Sequence, residues 1–186
     1  MTYSKSSSLR TAQKFTKLRT FIHIIDVINE QAGHIISYLL LPLIGVVVAE
    51  VVLRSVFNRP TIWSFEISTF IWGSIAVLAG GYVLFQGRHV KVDVLYNRFS
   101  LRTRAILDLV TSFFFFFFCG ILLWKSAVYV WDAILSQEKN YSLWGPVLWP
   151  VKSTIFIGAL LIILQGIAQF IRTLYTAITG ESGHGL

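Results

Sequence analysis

Four long apolar blocks, separated by short polar stretches, organise the chain. They cover about 32–53, 62–85, 105–125 and 150–171. A helix of about 22 residues is about 33 Å long, enough to cross a hydrocarbon core of about 30 Å. The pattern therefore predicts an all-α, polytopic membrane protein with four transmembrane helices. Pro42 sits inside the first block, where a missing N–H predicts a kink. The second block contains Gly73, Gly80 and Gly81, small residues that let helix backbones approach closely. The third includes six consecutive phenylalanines, Phe113 to Phe118. Such a run surrounds the helix, so part of it must meet lipid and part must meet neighbouring helices. Pro150 suits the first turn of the fourth helix, where no N–H is needed.

Outside these blocks lie residues 1–31, three connecting stretches and a tail over 173–186. In the N-terminal segment Phe15, Leu18, Ile22 and Ile25 recur at helical spacing, with Lys14, Lys17 and Arg19 elsewhere on the wheel. This pattern predicts an N-terminal amphipathic helix, lying in the membrane interface or packed on a partner's cytoplasmic face. The segment has no compact apolar core ahead of a small-residue cleavage site, so a cleavable signal peptide is not expected. Trp124, Tyr129 and Trp131 form an aromatic cluster of the kind found at membrane interfaces. The stretch 132–150, ending in LWGPVLWP, reads as a loop, and the tail is short, polar and glycine-containing. There is no internal repeat.

Composition agrees with lipid as the solvent. Hydrophobic residues make up 55% of the chain and charged ones only 13%, against about a quarter in soluble domains. The net charge of +7 does not mark a nucleic-acid binder, because the basic residues flank the apolar blocks. Lys5, Arg10, Lys14, Lys17 and Arg19 precede the first block. Arg88, Lys91, Arg98, Arg102 and Arg104 fill the middle connection, and Arg172 follows the fourth block. Only Arg54, Arg59, Lys139 and Lys152 lie on the other side, with Lys125 able to snorkel there. That asymmetry predicts both ends of the chain inside, N-in and C-in. The single cysteine, Cys119, lies in an apolar run and allows neither an intrachain disulfide nor a thiolate cluster.

Few residues suggest chemistry. Glu50, Glu66 and Asp108 are carboxylates in or near apolar blocks, and an intramembrane carboxylate is a functional candidate. All three nevertheless sit near block ends. Glu50 lies four residues before Arg54 and Asp108 four after Arg104, spacings that favour pairing on one helix face. Glu66 falls in a first helical turn, where negative charge is favoured. The histidines His23, His34, His89 and His184 do not form the inward-facing set a haem or metal bundle needs. Walker A, HExxH and GxSxG patterns are absent. No catalytic, cofactor-binding or metal-ligating residue is expected, and the chain does not read as an enzyme.

The most distinctive constellation is Arg54, Phe57, Trp63, Glu66, Gly80, Gly81, His89, Val90, Val92 and Asp93. Arg54 and Glu66 flank one short connection, so an ion pair bridging the first two helices is expected. His89 and Asp93 are placed to tie down the start of the middle connection. The Arg54 to Glu66 stretch, the RHVKVDVL connection and the PVLWPVK opening of the fourth helix resemble the small membrane subunit (DctQ-like) of tripartite ATP-independent periplasmic (TRAP) transporters. The resemblance covers about 32–172, and the HVxVD pattern is its most specific element. It implies a multi-pass protein of the bacterial cell inner membrane, partnered by a large TRAP membrane subunit and a periplasmic substrate-binding protein. It further implies a scaffold role in sodium-driven uptake of an organic acid, with substrate and sodium sites on the large subunit. Glu50, Arg54, Trp63, Glu66, Gly80, Gly81, His89 and Asp93 are the structural and interface candidates. The alternatives are an autonomous small proton-coupled exporter using Glu50 or Glu66, and a membrane anchor for a redox or signalling partner.

Overall fold

The computed structural model describes the backbone of residues 3–86 and 101–179, with the side chains of 19–86, 103 and 106–178. Five helices follow one another: α1 (Tyr3–Tyr38), α2 (Leu40–Ser55), α3 (Ser64–Phe85), α4 (Leu101–Leu135) and α5 (Trp149–Thr179). Four stretches are long and apolar enough to cross a membrane: Arg19–Ser55, Ser64–Phe85, Ile106–Leu135 and Trp149–Ile178. The first of these combines α2 with the end of α1. No helical interruption occurs near residue 31, so the basic N-terminal segment continues directly into the bundle.

The break between α1 and α2 falls at Leu39, three residues before Pro42. Proline cannot donate to the carbonyl four residues back, here that of Tyr38, and its ring crowds that group. The chain responds by tightening. Leu39 N–H bonds the Ile36 carbonyl at 3.0 Å, an i to i−3 contact, and Leu43 N–H bonds Leu39 at 3.3 Å. The far end of α2 closes through Asn58, whose φ of 50° is left-handed. Arg59 N–H then reaches back to the Leu53 carbonyl at 3.0 Å. Asparagine is among the few non-glycine residues that tolerate this conformation.

At the end of α4, Gln137 takes the left-handed position at φ 48°. Glu138 N–H bonds the Ala133 carbonyl at 3.2 Å, the six-to-one closure of a Schellman motif. The connection to α5 is a compact hairpin. Lys139 and Val147 form an antiparallel bridge, and Asn140 N–H bonds Pro146 at 2.9 Å. Leu148 N–H bonds Glu138, also at 2.9 Å. Lys152 in the first turn of α5 pairs with Glu138, which fixes the hairpin to the helix it precedes.

Helix α5 is the hub, packing against α4, α3 and α1. Glycines set its closest approaches. A Cβ on Gly158 would stand 2.6 Å from Val77 Cγ1 and 2.7 Å from the Val77 carbonyl oxygen. One on Gly80 would stand 2.6 Å from Ile162 Cδ1. The phenylalanine run divides as its length requires. Phe115 lies against Gly166, and Phe116 meets Phe170 edge-on with ring centroids 5.7 Å apart. Phe113, Phe114, Phe117 and Phe118 are exposed on the opposite side. Helix α2 contains no buried residue at all.

Candidate functional site

Two polar constellations stand out from this apolar bundle, one where α1 meets α5 and one where α2 meets α3. The first grows from a stripe along α1. Ile22, Ile25, Asn29, Gly33 and Ile36 are its buried positions, at spacings of three, four, four and three. Ile22 and Ile25 join Ala168 in the core, with Leu164 and Ile171 packed on them. Asn29 continues the stripe and is fully buried, as is Gln165 facing it from α5.

A buried amide must find partners, because an unmade hydrogen bond costs about 1–3 kcal/mol. Asn29 Nδ2 donates to the Ile25 carbonyl at 3.1 Å and to Gln165 Oε1 at 2.9 Å. Gln165 Nε2 donates in turn to Asp26 Oδ1 at 3.0 Å. Arg172, two turns further along α5, closes the network by pairing with the Asp26 carboxylate. Both side chains of that ion pair are largely withdrawn from solvent, at 14% and 16% exposure. Asn29 Oδ1 lies against Gly81 of α3, so any larger residue there would displace it. The network therefore ties α1 to α5 at the point where α3 passes.

Its depth matters. Phe115 against Gly166 and Phe116 against Phe170 place the network beside the phenylalanine run, on a level where the outer surface is aromatic. Sequence reading places Glu50, Glu66 and Asp108 near block ends and singles out no polar residue where α1 meets α5. Asn29 and Gln165 add to that reading a set of mutual hydrogen bonds between α1 and α5, in which Asn29 Oδ1 and Arg172 Nε are buried without a hydrogen-bond partner among the described residues.

The second constellation gathers sequence candidates. Glu50 Oε2 accepts hydrogen bonds from Thr61 N–H, at 3.1 Å, and from the Thr61 hydroxyl. Arg54 Nε stands 3.7 Å from Glu50 Oε1, the i, i+4 pairing on one helix face. The ion pair expected between Arg54 and Glu66 is not formed. Arg54 turns to its own helix instead, and Glu66 Oε2 is buried without a hydrogen-bond partner among the described residues. Glu50, not Glu66, thus bridges the first two membrane helices, through a threonine on the connection. Trp63 stands immediately before α3, its carbonyl accepting from Ile67 N–H at 3.0 Å. Gly80 and Gly81 both face α5. Val90 and Val92, with His89 and Asp93, lie outside the described residues. Asp108 is half-buried on α4.

A cleft of about 220 Å³ opens beside this constellation. Val47, Val51 and Phe65 form its apolar wall, and Glu50, Arg54, Thr61, Ser64 and Ser68 its polar one. Among the described residues no group of three or more His, Cys, Asp or Glu side chains is placed to hold a metal.

Asp26, Asn29 and Gln165 carry the buried network, yet none is a sequence candidate, and Arg172 enters only as a topology charge. One signal was available. The apolar stripe of Ile22 and Ile25, carried one turn further, lands on Asn29, a polar residue on a face otherwise committed to packing.

Helices of this length and apolarity, with polar groups bonded to one another inside the bundle, define a multi-pass membrane protein whose own helices are cross-tied. The family model for tripartite ATP-independent periplasmic transporters, DctQ component, matches residues 43–176. The chain belongs to the DctQ family, a membrane component of these transporters and not an enzyme family. No curated protein matches the chain.

Proposed function

We propose that this chain is the small permease subunit that braces the large membrane subunit of a TRAP-type importer. In this reading it works with a periplasmic substrate-binding protein in the bacterial inner membrane. Uptake is sodium-driven and the solute is an organic acid, with the ion and solute sites carried by the large subunit. The charge asymmetry along the sequence supports an orientation with both ends in the cytoplasm. The N-terminal segment that the sequence pattern reads as an amphipathic helix then lies on the cytoplasmic side.

The observation that carries the bracing role is the bonding of polar groups to one another between α1 and α5. Asp26, Asn29, Gln165 and Arg172 bond chiefly to one another. Side chains bonded to one another across two helices suit a rigid support, and Asn29 Oδ1 and Arg172 Nε are the atoms of this set left without a hydrogen-bond partner among the described residues. Glu50, one of the two carboxylates an autonomous proton-coupled exporter could use, is already held by Thr61. Extended apolar faces, including the exposed side of α2 and one side of the phenylalanine run, leave wide surface for a partner.

Reconstitution tests the reading. Vesicles containing this chain alone should show no uptake of organic acids under an inward sodium gradient. Adding the large subunit and the binding protein should establish it, and omitting this chain should abolish it. Uptake by the isolated chain would refute the proposal.

A further inference from the structure

The cleft between α2 and α3 has a chemistry that bracing does not require. We propose that it holds a phospholipid with a primary amine in its headgroup, the phosphate against Arg54 and the ammonium against Glu50. Three observations converge on this occupant.

The first is the division of bonding capacity at Glu50. Both hydrogen bonds from Thr61 go to Oε2. Oε1 stands 3.7 Å from the Arg54 guanidinium, beyond hydrogen-bond reach, and the Ser64 hydroxyl is a further neighbour of the carboxylate. A carboxylate oxygen accepts more than one bond, and a guanidinium offers five donors. Each member of the pair therefore has capacity for a third group.

The second is charge order. An anion and a cation lie side by side on one helix face, matching a zwitterion presented in the opposite sense. A purely anionic headgroup would meet Glu50. A choline headgroup carries the positive charge but cannot donate a hydrogen bond to Oε1. A primary ammonium has three donors, as a lysine head does.

The third is the apolar wall. Val47, Val51 and Phe65 are exposed along the cleft, with Phe65 at 77%. In a membrane, surface of this kind is covered by hydrocarbon, and a chain descending from a headgroup at Arg54 would cover it. The volume of about 220 Å³ is below the range of about 300–1,000 Å³ of drug-sized ligand sites. It fits a headgroup and the start of an acyl chain, with the rest of the lipid in the bilayer.

Native mass spectrometry of the full chain in detergent tests the assignment. The protein is offered equimolar dioleoyl-phosphatidylethanolamine and dioleoyl-phosphatidylcholine. The first bound lipid should favour the ethanolamine headgroup by about three- to ten-fold. Glu50→Gln should bring the ratio to about one, and Arg54→Gln should weaken binding of both lipids. Equal binding by the unaltered chain, or a preference that survives Glu50→Gln, overturns the proposal. So does stronger binding of dioleoyl-phosphatidylglycerol than of either. If Glu50→Gln loses helicity, Val47→Trp, which fills the cleft from an exposed position, takes its place. Loss of the preference then supports the site, and its retention refutes it.

Discussion

Asp26 and Arg172 are separated by 146 positions and form an ion pair with Gln165 as a third member. Breaking such a pair by removing one partner leaves a buried charge uncompensated, at a cost of about 3–5 kcal/mol. Arg172→Ala should therefore destabilise the bundle by about that much. The double variant Asp26→Leu with Arg172→Leu should recover most of the loss, because it leaves no stranded charge. A double-mutant cycle by chemical denaturation in detergent would show the coupling. Additive effects would mean that the pair contributes little.

The glycines divide into two groups. Gly158→Ala forces a methyl group onto Val77, including its backbone carbonyl, which cannot move aside cheaply. Overpacking of this kind costs about 1–3 kcal/mol. Gly73, Gly45 and Gly120 have open space around the added carbon. Alanine at any of these should be neutral or stabilising by about 0.5–1 kcal/mol, the helix propensity difference. Thermal unfolding of the four variants in one detergent would check the contrast.

Thr61 tests the α2–α3 bridge. Thr61→Val keeps the shape and the backbone N–H bond but removes the hydroxyl from Glu50. Hydrogen bonds to charged groups contribute about 1.5–3 kcal/mol, so a loss in that range is expected. Thr61→Ser, which retains the hydroxyl, should restore most of it. Equal stability of the valine variant would show that the backbone bond alone suffices.

The phenylalanine run offers a positional test. Phe115 and Phe116 are half-buried against α5, while Phe114 and Phe117 are exposed. Phe116→Ala should lower the stability of the isolated chain by about 1–3 kcal/mol, below the 3–5 typical of a fully buried ring. Phe114→Ala and Phe117→Ala should change it by less than about 0.5 kcal/mol. Should either exposed position weaken co-purification with the large subunit, that face is the one it covers.

Block length and apolarity were enough to read four membrane-crossing helices from the sequence, because lipid forces every backbone group to bond within its own helix. The division of the phenylalanine run also follows from geometry alone, since six consecutive residues cannot share one face. The pairing of Glu50 with Arg54 is a local, four-residue relationship and so is legible. The Asp26–Gln165–Asn29 network joins residues about 140 positions apart, and no local spacing encodes which helices meet. Arg54 and Glu66 illustrate the same limit from the other side. Nearness along the chain suggests a pair, but the Thr61 hydroxyl and N–H claim the carboxylate that matters. The Leu39 break lies three residues from its cause because a proline disrupts the carbonyl behind it, not its own position.

The partners of Asp26 and Asn29 also set a timetable for assembly. Both residues leave the ribosome early, whereas Gln165 and Arg172 emerge after three further helices have been made. Until then Asp26 lacks its Gln165 and Arg172 partners and Asn29 has only the Ile25 carbonyl of its own helix, so water at the membrane surface is a favourable alternative. Insertion of α1 is thus expected to stay provisional through most of synthesis and to become permanent when α5 arrives. A truncation ending before Gln165 should leave α1 accessible to proteases that the finished chain resists.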